Sequence, residues 1–163
     1  MEIIVTRARM RSMLWNWGHA LNTISGYEND LKVLRQLIVD AQDTLGAQNL
    51  DGMPHSGAPG DSVARAVELV EKRKEAYSGA ERATMELIEG RLMLKTTMDR
   101  HVIELSALEQ QIIRLRYQEG KEWVYIALRV NYSEAQARAI ETQAIDKLRA
   151  TGEIKDCSAK LKF

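Results

Sequence analysis

The polar residues best placed to recognise another molecule lie between Arg129 and Ala150, in the stretch RVNYSEAQARAIETQAIDKLRA. Helical spacing puts one polar set on the outer face of a helix that begins after Ser133: Glu134, Gln136, Arg138 and Thr142. Their carboxylate, amide, guanidinium and hydroxyl groups can donate and accept hydrogen bonds, and a guanidinium can reach guanine O6 and N7 together. The chemistry that this face favours is recognition of base edges in DNA.

Residue types that perform catalysis or bind metals show no matching pattern. His19, His55 and His101 stand far apart and have no partner four residues away, so they do not predict a zinc site. The single cysteine, Cys157, excludes an internal disulfide and fits a reducing cytosol. The glycine-rich PHSGAPGDS lacks the Lys-Ser or Lys-Thr of a phosphate-binding loop, and no nucleophile motif is present. We therefore expect a protein that is not an enzyme and uses no metal or cofactor.

Charge limits how the chain can bind DNA. Its 163 residues include 23 Lys and Arg and 23 Asp and Glu, so no field over the whole chain attracts nucleic acid or anionic lipid. Residues 100–163 carry eleven Lys and Arg against nine Asp and Glu, a net charge near +2. Because each neutralised phosphate contributes about −0.9 to the salt slope, this surface should bind weakly, and tight binding would need homodimerisation or a protein partner. No apolar run approaches the roughly 20 residues that a membrane span requires.

Two capping boxes define the helices that position the polar face. SALE (Ser106–Glu109) and SEAQ (Ser133–Gln136) each predict a helix start. Gly120 can end the first helix in a left-handed conformation, and Asn131 can take the positive φ of a tight corner after a short helix at 122–129. The predicted buried side chains are Leu108, Ile112, Leu115, Ile126, Ala127, Val130, Ala137, Ile140, Ala144 and Leu148. This is the geometry of a helix-turn-helix, although three amphipathic helices also form bundles that do not bind DNA.

The chain as a whole is predicted to be all-α, because strand patterns are weak and both prolines fall in one loop. We predict a long N-terminal helical hairpin, with spacing that allows a coiled coil, followed by a C-terminal helix-turn-helix domain. Residues 1–100 are predicted to form the hairpin, an interaction or dimerisation region with a Pro/Gly loop at 48–61. Residues 101–150 are predicted to form the helix-turn-helix domain, and residues 151–163 a polar tail.

Three helices are predicted in the first 100 residues. The first carries the stripe Met10, Leu14, Trp17, Leu21 and Ile24, and Gly26 is predicted to separate it from the second. The stripe of the second is Ile24, Leu31, Leu34, Ile38, Ala41 and Leu45. Asp61 or Ser62 can cap the third, which is predicted to end at about Arg100. Its stripe is Leu69, Ala76, Ala80, Ala83, Leu87, Gly90 and Leu94. The tryptophans are predicted to lie in or against the core: Trp15, Trp17 and Trp123.

The C-terminal residues also resemble a known family. Leu105–Ala150, LSALEQQIIRLRYQEGKEWVYIALRVNYSEAQARAIETQAIDKLRA, is similar to the fourth conserved region of bacterial sigma factors in its LS-LE start, its LRY, its IA before the turn and its KLR end. The resemblance implies double-stranded DNA and RNA polymerase as partners. It also implies that Arg116, in LRY, contacts phosphate, as do the amides at 122–124. Sigma factors read bases from four positions at and beside this face. In this chain these positions are Glu134, Ala135, Arg138 and Ala139, and only Arg138 has a donor that could contact guanine O6 and N7.

The chain also carries a GMP…G…D motif from Gly52 to Asp61, before the region-four-like segment. This layout resembles small phage and prophage proteins, related to late-gene transcription regulators, in which a helical hairpin interrupted by such a loop precedes a region-four-like domain. We therefore expect a DNA-binding transcription regulator of phage or prophage origin. Arg138 and Gln136 are the candidates for base contact, beside Glu134 on the same face. Arg116, Arg114 and Thr142 are the candidates for positioning the DNA backbone. The alternatives are an adaptor that docks on RNA polymerase or another regulator without reading DNA, and a packaging or structural phage protein.

Overall fold

The computed structural model describes residues 5–47 and 61–160, and within these ranges it contains helices and no strand. The helices are α1 (Arg7–Gly18), α2 (Ala20–Ala47), α3 (Asp61–Val102), α4 (Ala107–Ile113), α5 (Trp123–Val130), α6 (Glu134–Ala150) and α7 (Gly152–Lys160). A π-helical turn, Arg114–Gln118, follows α4 directly. The all-α prediction is confirmed, whereas nearly all of the loop predicted at 48–61 lies outside the described residues. None of the described helices is long and apolar enough to span a membrane.

The described residues divide into two compact units. We call residues 5–24 and 88–160 the helix-turn-helix unit, and residues 25–47 and 61–87 the hairpin unit. This division differs from the one predicted at residue 100, because α1 shares a core with the C-terminal helices. The buried side chains of α1 are Met10, Met13, Leu14 and Trp17. They lie in one apolar cluster with residues from the end of α3 and from α6 and α7.

The break predicted between the first two helices at Gly26 is wrong, because the chain breaks at His19. The N–H of His19 still bonds to the carbonyls of the preceding turn, but its φ of −105° is no longer helical. Gly26 lies inside α2. A glycine lowers the stability of a helix by about 1 kcal/mol but does not by itself end the helix. The early break changes the buried face, so Leu21 is 63% exposed. The other members of the predicted stripe are buried: Met10, Leu14, Trp17 and Ile24.

The three tryptophans differ in exposure. Trp17 is buried and its indole N–H donates to Asp99 Oδ1 at 2.8 Å, and Trp123 is half-buried, so the packing prediction is right for both. For Trp15 it is wrong, because this side chain is 48% exposed. Residues two apart point to nearly opposite sides of a helix, so α1 cannot bury Trp15 and Trp17 together.

In the hairpin unit, the described side chains agree with the stripe predicted for α2 but not with the one predicted for α3, and Leu45 lies outside the described side chains. In α2, one side chain is buried and three are half-buried: Leu31, then Leu34, Ile38 and Ala41. In α3, most predicted positions are exposed: Leu69, Ala76, Ala80, Ala83 and Leu87. Within the hairpin unit, the half-buried positions of α3 are Val67, Val70, Tyr77, Glu81 and Thr84. The last two members of the predicted stripe belong to the helix-turn-helix unit, where Gly90 is half-buried and Leu94 is buried. Glu81 helps to set this register, because its carboxylate accepts a hydrogen bond from Arg35 Nε at 2.8 Å.

The C-terminal helices agree closely with the prediction. Both capping boxes form, Gly120 has a φ of +64°, and Asn131 has a φ of +58°. One apolar cluster joins α4, α5 and the start of α6: Ile112, Leu115, Ile126, Val130 and Ala137, with Leu108, Trp123 and Ile140 half-buried against them. This cluster fixes the angle at which α6 leaves the turn.

The polar tail predicted from residue 151 contains a helix. In α7, Ile154 and Cys157 are buried in the same cluster as α1. The end of α3, which reaches Val102 rather than about Arg100, contacts α7 through the His101 ring, whose Nε2 lies 2.8 Å from Glu153 Oε2. Burial raises the pKa of the Cys157 thiol, so this cysteine is a core side chain.

Candidate nucleic-acid interface

The start of α6 is held rigidly by its own capping box. Ser133 Oγ accepts from the Gln136 N–H at 3.2 Å, and Gln136 Oε1 accepts from the Ser133 N–H at 3.0 Å. Gln136 Oε1 also accepts from the Ser133 hydroxyl at 3.0 Å. The side-chain oxygen of Gln136 is therefore occupied by Ser133. Only the side-chain N–H groups of Gln136 remain for a contact with a base.

Arg138 projects from the exposed side of α6, and 56% of its side chain is accessible. Its Cζ lies 4.9 Å from the centre of the Trp123 ring, a distance at which a guanidinium is attracted to an aromatic face. Its Nη2 lies 3.6 Å from Glu134 Oε2, one helical turn earlier. Trp123 and Glu134 thus orient the guanidinium, and Glu134 offsets part of its charge.

Arg116 reaches the same tryptophan from the π-helical turn. Its Cζ lies 5.3 Å from the Trp123 ring centre, and its Nη1 donates to the Lys121 carbonyl oxygen at 2.9 Å. The side chain therefore links the π-helical turn to the loop before α5. The Thr142 hydroxyl is also engaged, because it donates to the Arg138 carbonyl oxygen at 2.9 Å.

The predicted site residues do not all lie together. Arg116, Arg138 and Thr142 line one cleft, of about 530 Å³. Arg114 instead lines a second cleft, where its neighbours include Tyr125 and Arg129. Glu134 and Gln136 are exposed on the first turn of α6.

The opposite wall of the first cleft comes from α1 and was not predicted from the sequence. Arg11, Ser12 and Trp15 line it, facing Arg138 and Thr142. Their role was not visible because the first helix was assigned to a separate hairpin. One signal was present: Arg7 and Arg11 lie four residues apart on one face of α1, as expected of a helix that pairs with acids on a neighbour.

A buried carboxylate connects the two walls. Glu141 is 3% exposed and accepts a hydrogen bond from the Tyr117 hydroxyl at 2.5 Å. Arg11 donates to it twice, from Nη2 at 3.0 Å and from Nε at 3.3 Å. The hydrogen bond with Glu141 raises the pKa of Arg11, and burial together with the same carboxylate raises the pKa of Tyr117. Arg11 and Tyr117 therefore stay protonated and keep donating to Glu141.

The segment that carries the turn can be compared with known families. Residues 103–150 match the family model described as Sigma-70, region 4. This segment is a sigma region-four-like helix-turn-helix. The match covers less than a third of the chain and runs from just before α4 to the end of α6, so α1 and α7 lie outside it. No curated protein and no solved structure matched the chain.

The region-four match confirms the resemblance read from LSALE to KLR. It indicates DNA binding and association with RNA polymerase, and so a role in transcription. In the region-four-like segment, α5 and α6 are the two helices of the helix-turn-helix, with Asn131 at the corner.

Proposed function

We propose that the protein is a DNA-binding transcription regulator that inserts the first turns of α6 into the major groove. The observation that carries this proposal is the placement of Arg138, exposed and oriented over Trp123, near the start of the second helix of a region-four-like helix-turn-helix. The N-terminal residues of this helix are the ones that contact base edges in helix-turn-helix proteins.

Each candidate residue has a defined part in the proposal. Arg138 contacts guanine through two guanidinium N–H groups, and Gln136 uses its amide N–H groups on a neighbouring base. Glu134 faces the same groove, and its carboxylate repels phosphate, so Arg138 is directed to a base and not to the DNA backbone. Arg116 contacts phosphate from beside Trp123, and the amides at 122–124 bind the same strand at the start of α5. Arg114 and Thr142 make the peripheral contacts with the DNA backbone.

The direct test is equilibrium binding of the purified full chain to duplex fragments of its own genome at two salt concentrations. Arg138→Ala should weaken binding to the preferred fragment by about 1–3 kcal/mol, or roughly 5- to 140-fold, and relax specificity at one base pair. The matched control is Arg82→Ala, which removes the same charge from an exposed position in the hairpin unit. Equal affinities for wild type and Arg138→Ala would refute the role of Arg138.

A second candidate function is an adaptor that docks on RNA polymerase without reading DNA. Three features of α6 favour it: Glu134 offsets the charge of Arg138, the Gln136 carbonyl caps the helix, and the Thr142 hydroxyl bonds to the helix backbone. Polymerase should then be retained by the immobilised protein after nuclease treatment of a host extract. Loss of polymerase on nuclease treatment would favour the DNA-binding function instead.

The proposal includes a homodimer formed through the hairpin unit and a phage or prophage origin. The near-neutral charge of residues 100–163 supports the dimer, because two helix-turn-helix domains would double the number of phosphate contacts. Exposed apolar side chains on the hairpin offer a surface for it, among them Val33, Leu69 and Met85. Sedimentation equilibrium tests this part, and a monomer at the concentrations that bind DNA would exclude it.

A further inference from the structure

Helix α1 is fixed against α6 by arginine side chains. Arg7 donates to both carboxylate oxygens of Asp146, at 2.6 Å and 2.9 Å, and Arg11 donates to both oxygens of Glu141. The hydrogen bond from Arg7 lowers the pKa of Asp146, which keeps this contact ionised. Arg9 adds a bond to the Ser158 carbonyl oxygen in α7 at 3.3 Å. The helix is thus tied to α6 and α7 along its length.

Close packing reinforces these bonds. Trp17, Met13 and Leu14 are buried beneath α1, and Gly18 lies directly against the backbone of Tyr117. A Cβ on Gly18 would lie 1.9 Å from the Tyr117 carbonyl oxygen, so only a glycine allows this approach. The position of α1 beside the recognition helix is therefore a defined part of the fold.

The exposed edge of α1 has the chemistry of a surface that binds an anionic strand. The cleft that α1 shares with α6 is lined by more positive than negative side chains. Its charged lining residues are three arginines and one glutamate: Arg11, Arg116, Arg138 and Glu141. Arg11 has five N–H donors, of which Glu141 takes two, and 45% of its side chain is accessible. Ser12 and Trp15 add an exposed hydroxyl and an exposed indole, whose N–H can donate to phosphate.

The position of this edge points to one strand of a DNA duplex. Arg138 and Thr142 line the cleft from α6, so the cleft is continuous with the face that would enter the major groove. Elements beside a recognition helix contact the sugar-phosphate strands that border the groove. A small anionic ligand would not require the row of contacts that extends along α1.

We propose that α1 is a second DNA-contacting element, in which Ser12, Trp15 and the outer N–H groups of Arg11 bind the sugar-phosphate strand beside the groove entered by α6. This inference rests on the proposed function, because it takes α6 as the recognition helix. It extends the binding surface to a helix outside the region-four-like segment.

The test uses the full chain with Ser12→Ala and Trp15→Ala combined. Both side chains are exposed, so their removal opens no cavity in the core. Arg11 is kept, because its removal would leave Glu141 with fewer donors. The control is Leu21→Ala, which truncates a large exposed side chain at the start of α2. Trp15→Phe retains an aromatic ring but loses the indole N–H and part of the ring surface.

We expect the double variant to bind its preferred duplex about tenfold more weakly, since two hydrogen bonds to the backbone are lost. Hydroxyl-radical footprints should lose protection at sugars flanking the α6 site and keep it at the centre. Trp15→Phe should show a smaller loss, and Leu21→Ala should match wild type.

Three results would overturn the inference. If the double variant binds like wild type while Arg138→Ala binds weakly, α1 makes no contact but the proposed function stands. If the double variant loses affinity only for single-stranded oligonucleotides, the cleft binds unpaired bases instead. If the wild-type chain binds no duplex, the proposed function and this inference both fail.

Discussion

Gly18→Ala tests whether α1 is seated on the helix-turn-helix unit as described. The added methyl would lie 1.9 Å from the Tyr117 carbonyl oxygen, 2.5 Å from its carbonyl carbon and 3.0 Å from the Gln118 nitrogen. All three atoms belong to the backbone, which cannot turn aside as a flexible side chain can. Helix α1 must therefore retreat by roughly 1 Å or more to restore ordinary contact distances.

The cost can be worked from the side chains that α1 buries, which are Met10, Met13, Leu14 and Trp17. Burying a large apolar side chain contributes about 1.5–3 kcal/mol, so the four contribute about 6–12 kcal/mol. A gap of 0.5–1 Å forfeits about a quarter to a half of the contact energy. The loss is then about 1.5–6 kcal/mol, from which the higher helix propensity of alanine recovers up to about 1 kcal/mol. We expect Gly18→Ala to lower the free energy of unfolding by about 1–5 kcal/mol.

The matched control is Gly26→Ala, because Gly26 lies inside α2 and, apart from its chain neighbours and the nearby backbone of its own helix, no atom lies within 4 Å of the position of a Cβ. It should raise stability by about 0.5–1 kcal/mol. Urea unfolding followed by circular dichroism compares both variants with wild type. Tryptophan fluorescence reports the helix-turn-helix unit alone, since Trp15, Trp17 and Trp123 all belong to it. A Gly18→Ala variant as stable as Gly26→Ala would refute the seating of α1.

Three further predictions concern single residues of the helix-turn-helix unit. Iodoacetamide should alkylate Cys157 slowly until the protein is unfolded, because the thiol is buried and its pKa is raised; rapid alkylation of the native protein would contradict the placement of α7. Asn131→Ala should lower the free energy of unfolding by about 1 kcal/mol and Asn131→Gly by much less, since the residue has a φ of +58°; equal urea midpoints would count against the turn. Burial raises the pKa of Glu109, but hydrogen bonds from Lys147 and Ser106 outweigh this and lower it below the ordinary 4.5. The stability that Glu109 contributes is therefore present above pH 4.5 and is lost as the pH falls through the lower folded value, so Glu109→Gln should show a shallower loss in acid urea titrations.

The C-terminal helices were predictable because their signals are local. A capping box spans four residues, a left-handed corner needs only one Gly or Asn, and the apolar stripe of α6 repeats within a single helix. Ser106, Ser133, Gly120 and Asn131 therefore revealed the helix boundaries before any tertiary contact was known.

The assignment of α1 failed because its signals are not local. Arg11 and Glu141 are 130 residues apart in sequence, and nothing near either residue indicates that they meet. The stripe of α1 predicted a packed helix correctly but could not identify what it packs against. Burial in a core shared with α6 and α7 was decided by tertiary contacts, as was the register of α3.

The candidate site was predicted in part for the same reason. The exposure of Arg138 follows from the helical pattern of α6, whereas its contact with Trp123 depends on how α5 packs on α6. Gln136 was chosen for its amide, yet the same residue type completes the capping box. The sequence predicted both uses of this side chain, in the capping box and in base contact, and the structure shows that its side-chain oxygen is taken by the cap.

Selection from a random pool of DNA duplexes by the full chain, with Arg138→Ala selected in parallel, tests the central claim most directly. If α6 reads the major groove, wild type should enrich a discrete motif, and Arg138→Ala should lose the preference for one G·C pair while keeping the rest. If neither protein enriches a motif and both bind DNA without regard to sequence, α6 is not a recognition helix and the account is contradicted.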